Sequence, residues 1–358
     1  MIRRVTLRHT PPALPLAEDV LGPQGNRLVR AGQVLDADTA QRLVAMGVQE
    51  VPLADPRLAD LPEPDPVSPQ VMSQAYQALG ALRDALRGPS RALPDAALAG
   101  AQHAARELER DLMHRPPRVV HCRIRYPGED YLIPHAVYTA VLSMAVGYRL
   151  ELAARLPDIG LGALLSDLGL WLLPPEMLAQ TAPLSPEQRE AVRRHPAESF
   201  RLLKDHPLSA FAKAIVFQHH ERLDGSGYPR GTRGKDIHPY AQLVGLCDAY
   251  AALIADRPYR SRVMPHEALE WVLSTAGFEF GHELVQAFTQ VVPPYPVGTF
   301  VRLSSGEEGV VVAVDQYLAR PRVRLFRDAA GHELDPWREI DLSELGHQSV
   351  LIAAVLPD

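Results

Sequence analysis

Six ionisable side chains stand where an apolar pattern would otherwise continue. His219 and His220 are adjacent at the end of a segment in which Phe211, Ile215 and His219 recur every fourth residue, so His219 prolongs a stripe that faces inward. His220 projects about 100° further round such a helix, and both rings reach one centre only if the helix stops there. The sequence that follows, Asp224-Gly225-Ser226-Gly227, favours that stop. Asp167 interrupts GALLSDLGLWLL and Asp248 interrupts LVGLCDAYAALIA, each a lone carboxylate in an apolar helix. Burying a carboxylate without a cation or several donors is strongly unfavourable. His135 opens the apolar stripe of Val137, Val141, Met144 and Tyr148. His195 closes a helix that begins at the capping box Ser185-Pro186-Glu187-Gln188 and is interrupted by Pro196.

Taken singly, each histidine reads most simply as a core residue bonded to a carbonyl. Taken together, His135, Asp167, His195, His219, His220 and Asp248 come from five helices and have one remedy in common. A divalent metal or a metal pair makes buried carboxylates tolerable and uses neutral imidazoles as ligands. The competing account is a purely structural one, with satisfied core histidines and a domain that only mediates protein contacts.

The elements that position these residues follow from periodicity. Residues 1–54 read as a small α/β module, with extended pieces at 5–7, 27–34 and 48–53 and a short helix that Asp36 caps and Gly47 ends. A Pro- and Asp-rich linker covers 55–70, and 71–130 is a helical connector with helices over 71–86 and 94–113. Their Ala- and Arg-rich faces suit packing within the chain or, alternatively, a homodimer contact. Residues 131–294 form a mainly α, compact helical domain, with helices expected over 159–173, from Ser185 to His195, and over 240–255. After Phe300 the pattern alternates, at 300–303, 309–314, 322–326 and 349–355, so 295–358 reads as a small β subdomain.

Composition narrows the function. The 358 residues carry 37 basic and 43 acidic side chains, net -6, which argues against general nucleic-acid or membrane-surface binding while leaving room for a local phosphate site. Two cysteines, Cys122 and Cys247, provide no disulfide framework and suit a reducing, cytoplasmic compartment. The most apolar stretch, 136–147, is too short to span a membrane, and the opening MIRRVTLRHTPP lacks the apolar core of a secretion signal.

The run HHERLDGSGYPRGTRG, together with RRHP, CDAYAAL and DRPYRS in that setting, resembles the HD-GYP domains of bacterial cyclic di-GMP signalling, over roughly 131–294. AEDVLGPQGNRLVRAGQVL before it and YPVGTFVRLSSGEEGVVVAV after it are similar to segments that accompany such domains. The resemblance implies an HD-superfamily helical bundle holding iron or manganese and hydrolysing cyclic di-GMP to pGpG and GMP, with metal-activated water attacking phosphorus. It implies His135, Asp167, His195, His219, His220 and Asp248 as metal ligands, with Asp167 bridging and with Asp167 and His195 at the catalytic centre. It also implies Gly227, Tyr228, Pro229, Arg257 and Arg260 as substrate-binding positions, where guanidinium suits phosphate.

The chain departs from the family pattern at its defining pair. Where the family has His-Asp followed by a lysine, this sequence has Ser166-Asp167-Leu168-Gly169-Leu170, and Tyr131 replaces the glutamate of three-metal members. Serine is a poor neutral ligand for iron or manganese. The resemblance with this lesion implies a protein that binds one or two metal ions and cyclic di-GMP with impaired or absent phosphodiesterase activity. It would act as a sensor or scaffold, with a signalling protein such as a diguanylate cyclase among its partners. The alternative is an active metal-dependent phosphodiesterase.

Overall fold

The computed structural model describes residues 1–7, 13–22, 26–48, 50–61, 66–114, 120, 131–180, 182–255 and 262–356. They fall into two units, Met1–Pro64 with Tyr295–Asp358, and Asp65–Pro294.

In the first unit, β1 (Arg3–Thr6) pairs antiparallel with β4 (Glu50–Leu53), and β2 (Val20–Leu21) with β3 (Arg27–Val29). Between them, α1 (Ala37–Ala45) starts where the Asp36 carboxylate accepts the Thr39 amide at 2.7 Å. The chain leaves it through Gly47, at φ 87°, the left-handed conformation that glycine adopts without strain. Five antiparallel strands follow: β5 (Phe300–Leu303), β6 (Glu308–Ala313), β7 (Arg322–Arg327), β8 (Glu333–Asp341) and β9 (Ile352–Val355), in the order β8-β7-β6-β5-β9. Alternation does not reveal β8, because ELDPWREID carries a proline and mostly charged residues. As an edge strand it tolerates both, and its side chains are mainly exposed.

The two chain segments of this unit share a core of Leu58, Phe300, Val310 and Phe326. The guanidinium groups of Arg3 and Arg57 lie 4.0 and 4.7 Å from the centre of the Phe300 ring. Both arginines also pair with the buried Asp55 carboxylate, at 3.1 and 2.6 Å.

The second unit is helical. The apolar faces of α2 (Pro69–Arg87) and α3 (Asp95–His114) pack on each other within the chain, through residues such as Leu82, Leu86, Leu98 and Leu108. At the centre lies α4 (Leu132–Arg149), buried from Leu132 to Gly147 and therefore apolar all round rather than on one stripe. Tyr148, expected on that stripe, is exposed. Packed around α4 are α5 (Leu156–Leu165) and α10 (Pro239–Ile254), with α9 (Ala210–Gln218) against both of these. Shorter helices complete the unit: α6 (Pro175–Ala179), α7 (Pro186–Arg193), α8 (His195–Leu203), α11 (Pro265–Ser274) and α12 (His282–Thr289).

Two helix boundaries differ from the sequence reading. The helix expected over 159–173 breaks after Leu165, and Leu168–Leu172 resumes as a tighter 3₁₀ turn with Asp167 at its start. The carboxylate therefore sits at a break instead of inside a helix. Likewise α7 ends at Arg193, and His195 begins a new helix. Pro196 lies in the first turn of α8, where its missing N–H costs nothing, so it starts a helix rather than only ending one. No helix among the described residues is long and apolar enough to cross a membrane.

Candidate metal centre

Two glycines let the backbones come close enough to bring the ionisable side chains together. A side chain at Gly245 would overlap the carbonyl oxygen of His219, so α10 can pass directly against the end of α9 and present Asp248 one turn later. A side chain at Gly169 would overlap the carbonyl oxygen of His195, so the Asp167 turn lies flat on the start of α8. Since α9 stops at Gln218, with His219 as its cap, both adjacent imidazoles turn toward this junction. Their ring centres are 4.1 Å apart, and that of His195 is 4.9 Å from His220.

Asp167, His195, His219 and His220 form one group, with one ligand atom from each lying within 4.8 Å of the others. His195 Nε2 is 3.2 Å from an Asp167 carboxylate oxygen and 3.3 Å from His219 Nε2. The other nitrogens of these two rings face backbone carbonyls: His195 Nδ1 donates to Val192 at 2.7 Å, and His219 Nδ1 to Val216 at 3.0 Å. A carbonyl only accepts, so a neutral ring spends its single hydrogen there and keeps a bare lone pair on Nε2, while a second proton on His195 sits on Nε2 and faces Asp167. Burial, and then the charge of His195, lower the His219 pKa to about 4, so that ring is neutral at pH 7. Burial and the neighbouring imidazoles also move His220 well below its ordinary value. Burial raises the Asp167 carboxyl, but hydrogen bonding and charge from His195 outweigh it and hold the group below the ordinary carboxylate range. Inward lone pairs beside an ionised carboxylate are the donor set of a cation site. Donors about 3.0–3.4 Å apart are what two ligands at about 2.1 Å on one ion require.

The second group shares Asp167 and adds His135 and Asp248, again within 4.8 Å. Its character differs, because His135 Nε2 lies 2.7 Å from an Asp248 oxygen, a hydrogen-bonded pair that a proton already satisfies. His135 Nδ1 is buried with no hydrogen-bond partner among the described residues. Asp248 also approaches His220 Nδ1 at 3.9 Å. The buried Ser166 hydroxyl donates to the Gly162 carbonyl one turn back, at 2.7 Å. Leu170 is buried and adds only carbon. Tyr131 stands directly before α4.

Beside the centre lies the loop of Gly227, Tyr228 and Pro229, all half-buried. Tyr228 stacks on His220 with ring centres 4.6 Å apart, and its amide donates to the His220 carbonyl at 3.1 Å. Burial and the nearby Asp248 and Asp167 charges push its phenol upward, so it stays protonated. Glu221 was not singled out in the sequence, yet its buried carboxylate accepts the amides of Arg230 at 2.8 Å and Thr232 at 2.9 Å. The signal available was an acid directly after two inward histidines and before a glycine-rich turn, whose amides need an acceptor. Arg257 and Arg260 lie outside the described residues.

A helical bundle that draws histidines and aspartates from separate helices to one buried point is the arrangement of a metal-dependent HD domain. Residues 133–284 match the HD domain family. The chain is 32% identical over 249 residues to the cyclic di-GMP phosphodiesterase PA4108 of Pseudomonas aeruginosa, covering 69% of this chain and 60% of that protein. It is 25% identical over 195 residues to the cyclic di-GMP phosphodiesterase PdeB of Borreliella burgdorferi, covering 54% and 52%. The chain thus spans somewhat over half the length of these relatives. Among solved structures, Bd1817, a HDG"Y"P protein from Bdellovibrio bacteriovorus, aligns with a TM-score of 0.47 and 17% identity over 80% of this chain and 98% of that one. Residues 133–284 thus carry an HD domain, and the relatives the chain resembles are named cyclic di-GMP phosphodiesterases.

Proposed function

We propose that this protein binds a divalent metal, iron or manganese, and cyclic di-GMP, and that it hydrolyses the dinucleotide poorly. It then serves as a sensor or scaffold in cyclic di-GMP signalling, with His195, His219, His220 and Asp167 as the stronger metal position. A bound divalent ion polarises phosphoryl oxygens and lowers the pKa of water. The reading is carried by the Ser166 hydroxyl, which is spent on the Gly162 carbonyl while the position offers no imidazole. Leu170 adds no cation for a phosphate nearby. Gly227, Tyr228 and Pro229 form the substrate-side wall, with Arg257 and Arg260 as the cations for the phosphates.

The deciding experiment measures metal per chain, cyclic di-GMP affinity by calorimetry, and pGpG and GMP release, for wild type and Ser166→His. Wild type is expected to bind the dinucleotide with close to one metal and little turnover, and Ser166→His to gain a second metal and at least about tenfold in rate. Two metals and brisk turnover in wild type, unchanged by Ser166→His, overturn the reading. That outcome favours a working phosphodiesterase, which one observation supports: His135, Asp167 and Asp248 assemble a second donor group without any contribution from residue 166.

A further inference from the structure

The turn that carries Asp167 is tied at both ends to one side chain of the helix that carries His195. Ser199 is fully buried on α8, one turn beyond His195. Its hydroxyl donates to the Ser166 carbonyl at 2.8 Å and accepts the Gly169 amide at 2.8 Å. A serine hydroxyl offers one hydrogen and two lone pairs, so the pair of bonds uses its donor and one acceptor site. The peptide group before Asp167 and the Gly169 amide two residues after it are thereby fastened to the same helix that presents His195, whose Nε2 lies 3.2 Å from the Asp167 carboxylate. The break in helix geometry at 166–167 leaves the Gly169 amide outside the regular α ladder, and Ser199 supplies what the ladder does not.

We infer that Ser199 is a positioning residue of the metal centre: it contacts neither metal nor substrate, and fixes the Asp167 carboxylate against the His195 imidazole. Removing the hydroxyl leaves two buried backbone groups without this partner and frees the turn to rotate, which spreads the donors of the His195 group. The inference rests on the metal-centre reading above.

The test compares Mn2+ affinity by calorimetry and metal content by mass spectrometry for wild type, Ser199→Ala and Leu203→Val, alongside the Tm of each metal-free protein. Leu203 is buried one further turn along α8 and reports loss of packing alone. Ser199→Ala is expected to bind Mn2+ about 10–100-fold more weakly, as loss of a group that orients a ligand does. Leu203→Val is expected to stay within about threefold of wild type, with a comparable fall in Tm. Ser199→Ala binding within threefold of wild type overturns the inference, and so does an equal loss in Leu203→Val. If wild type itself takes up no Mn2+ or Fe2+, the metal-centre reading falls first, a result distinct from either of these.

Discussion

The two halves of the ionisable cluster are built on opposite plans. On one side His195 and His219 spend their ring hydrogens outward on Val192 and Val216, and their lone pairs converge beside Asp167. On the other, His135 and Asp248 face each other at 2.7 Å and complete each other with a proton. The first half has at most one proton, on His195 Nε2, to share between Asp167 at 3.2 Å and His219 at 3.3 Å, and a cation would satisfy both. The second must give up a hydrogen bond to accept one. The difference shows that a shared inventory of histidine and aspartate does not make equivalent sites: what the far nitrogen of each ring touches decides whether the near one is ready for a metal.

The comparison can be broken most directly at Asp167, the only residue common to both groups. Asp167→Ala is expected to reduce bound metal to near zero, read as metal per chain after dialysis against Mn2+, and one full equivalent retained would show the groups to be independent. Next in size is the contrast between His219→Ala and His135→Ala. Losing an inward lone pair should weaken the tighter metal by roughly 100-fold, whereas losing His135 should leave it within about threefold. Equal losses in calorimetric titrations would erase the asymmetry.

A smaller effect concerns protons. Burial disfavours the charged ring and lowers the His219 pKa from its ordinary 6.5 to about 4, and it shifts His220 the same way. As pH falls, the unfolded chain takes up these protons first. Stability of the metal-free protein is therefore complete above about pH 6.5 and declines toward pH 4, by up to about 1.4 kcal/mol per pH unit for each histidine. Thermal unfolding in chelator from pH 7.5 to 4.5 should show the decline, and saturating Mn2+ should displace it to lower pH. A flat profile would mean that the rings are not buried neutral. Least of all, Glu221→Gln should cost about 1–3 kcal/mol through its weakened grip on the Arg230 and Thr232 amides, measured by denaturant titration.

Much of this was legible in the sequence because burial and charge conflict visibly there. Asp167 and Asp248 in apolar runs, and His219 on an inward stripe that must end, are contradictions that a pattern of residue types displays. The helical bundle, the capping box at Ser185 and most of the C-terminal sheet were readable for the same reason: each has a local period. What stayed hidden depends on contacts between distant segments. The break at Ser166-Asp167 follows from how closely Gly169 meets α8, and GALLSDLGLWLL by itself favours a continuous helix. Pro196 looks the same in sequence whether it ends one helix or opens the next. β8 carries no alternation because only its edge position makes ELDPWREID acceptable as a strand. Neither the outward partners of His195 and His219 nor the hold of Glu221 on its loop has any periodic signature.

The pairing of Arg3 and Arg57 around Phe300 has a practical corollary for anyone cutting this gene. Because residues 1–64 and 295–358 complete a single fold, the helical bundle is inserted in the chain between them and attached by two covalent tethers. A chimera that exchanges 65–294 as a block preserves the flanking fold, whereas removing 1–64 bares the Phe300 ring to water and removing 295–358 leaves Arg3, Arg57 and Leu58 without it.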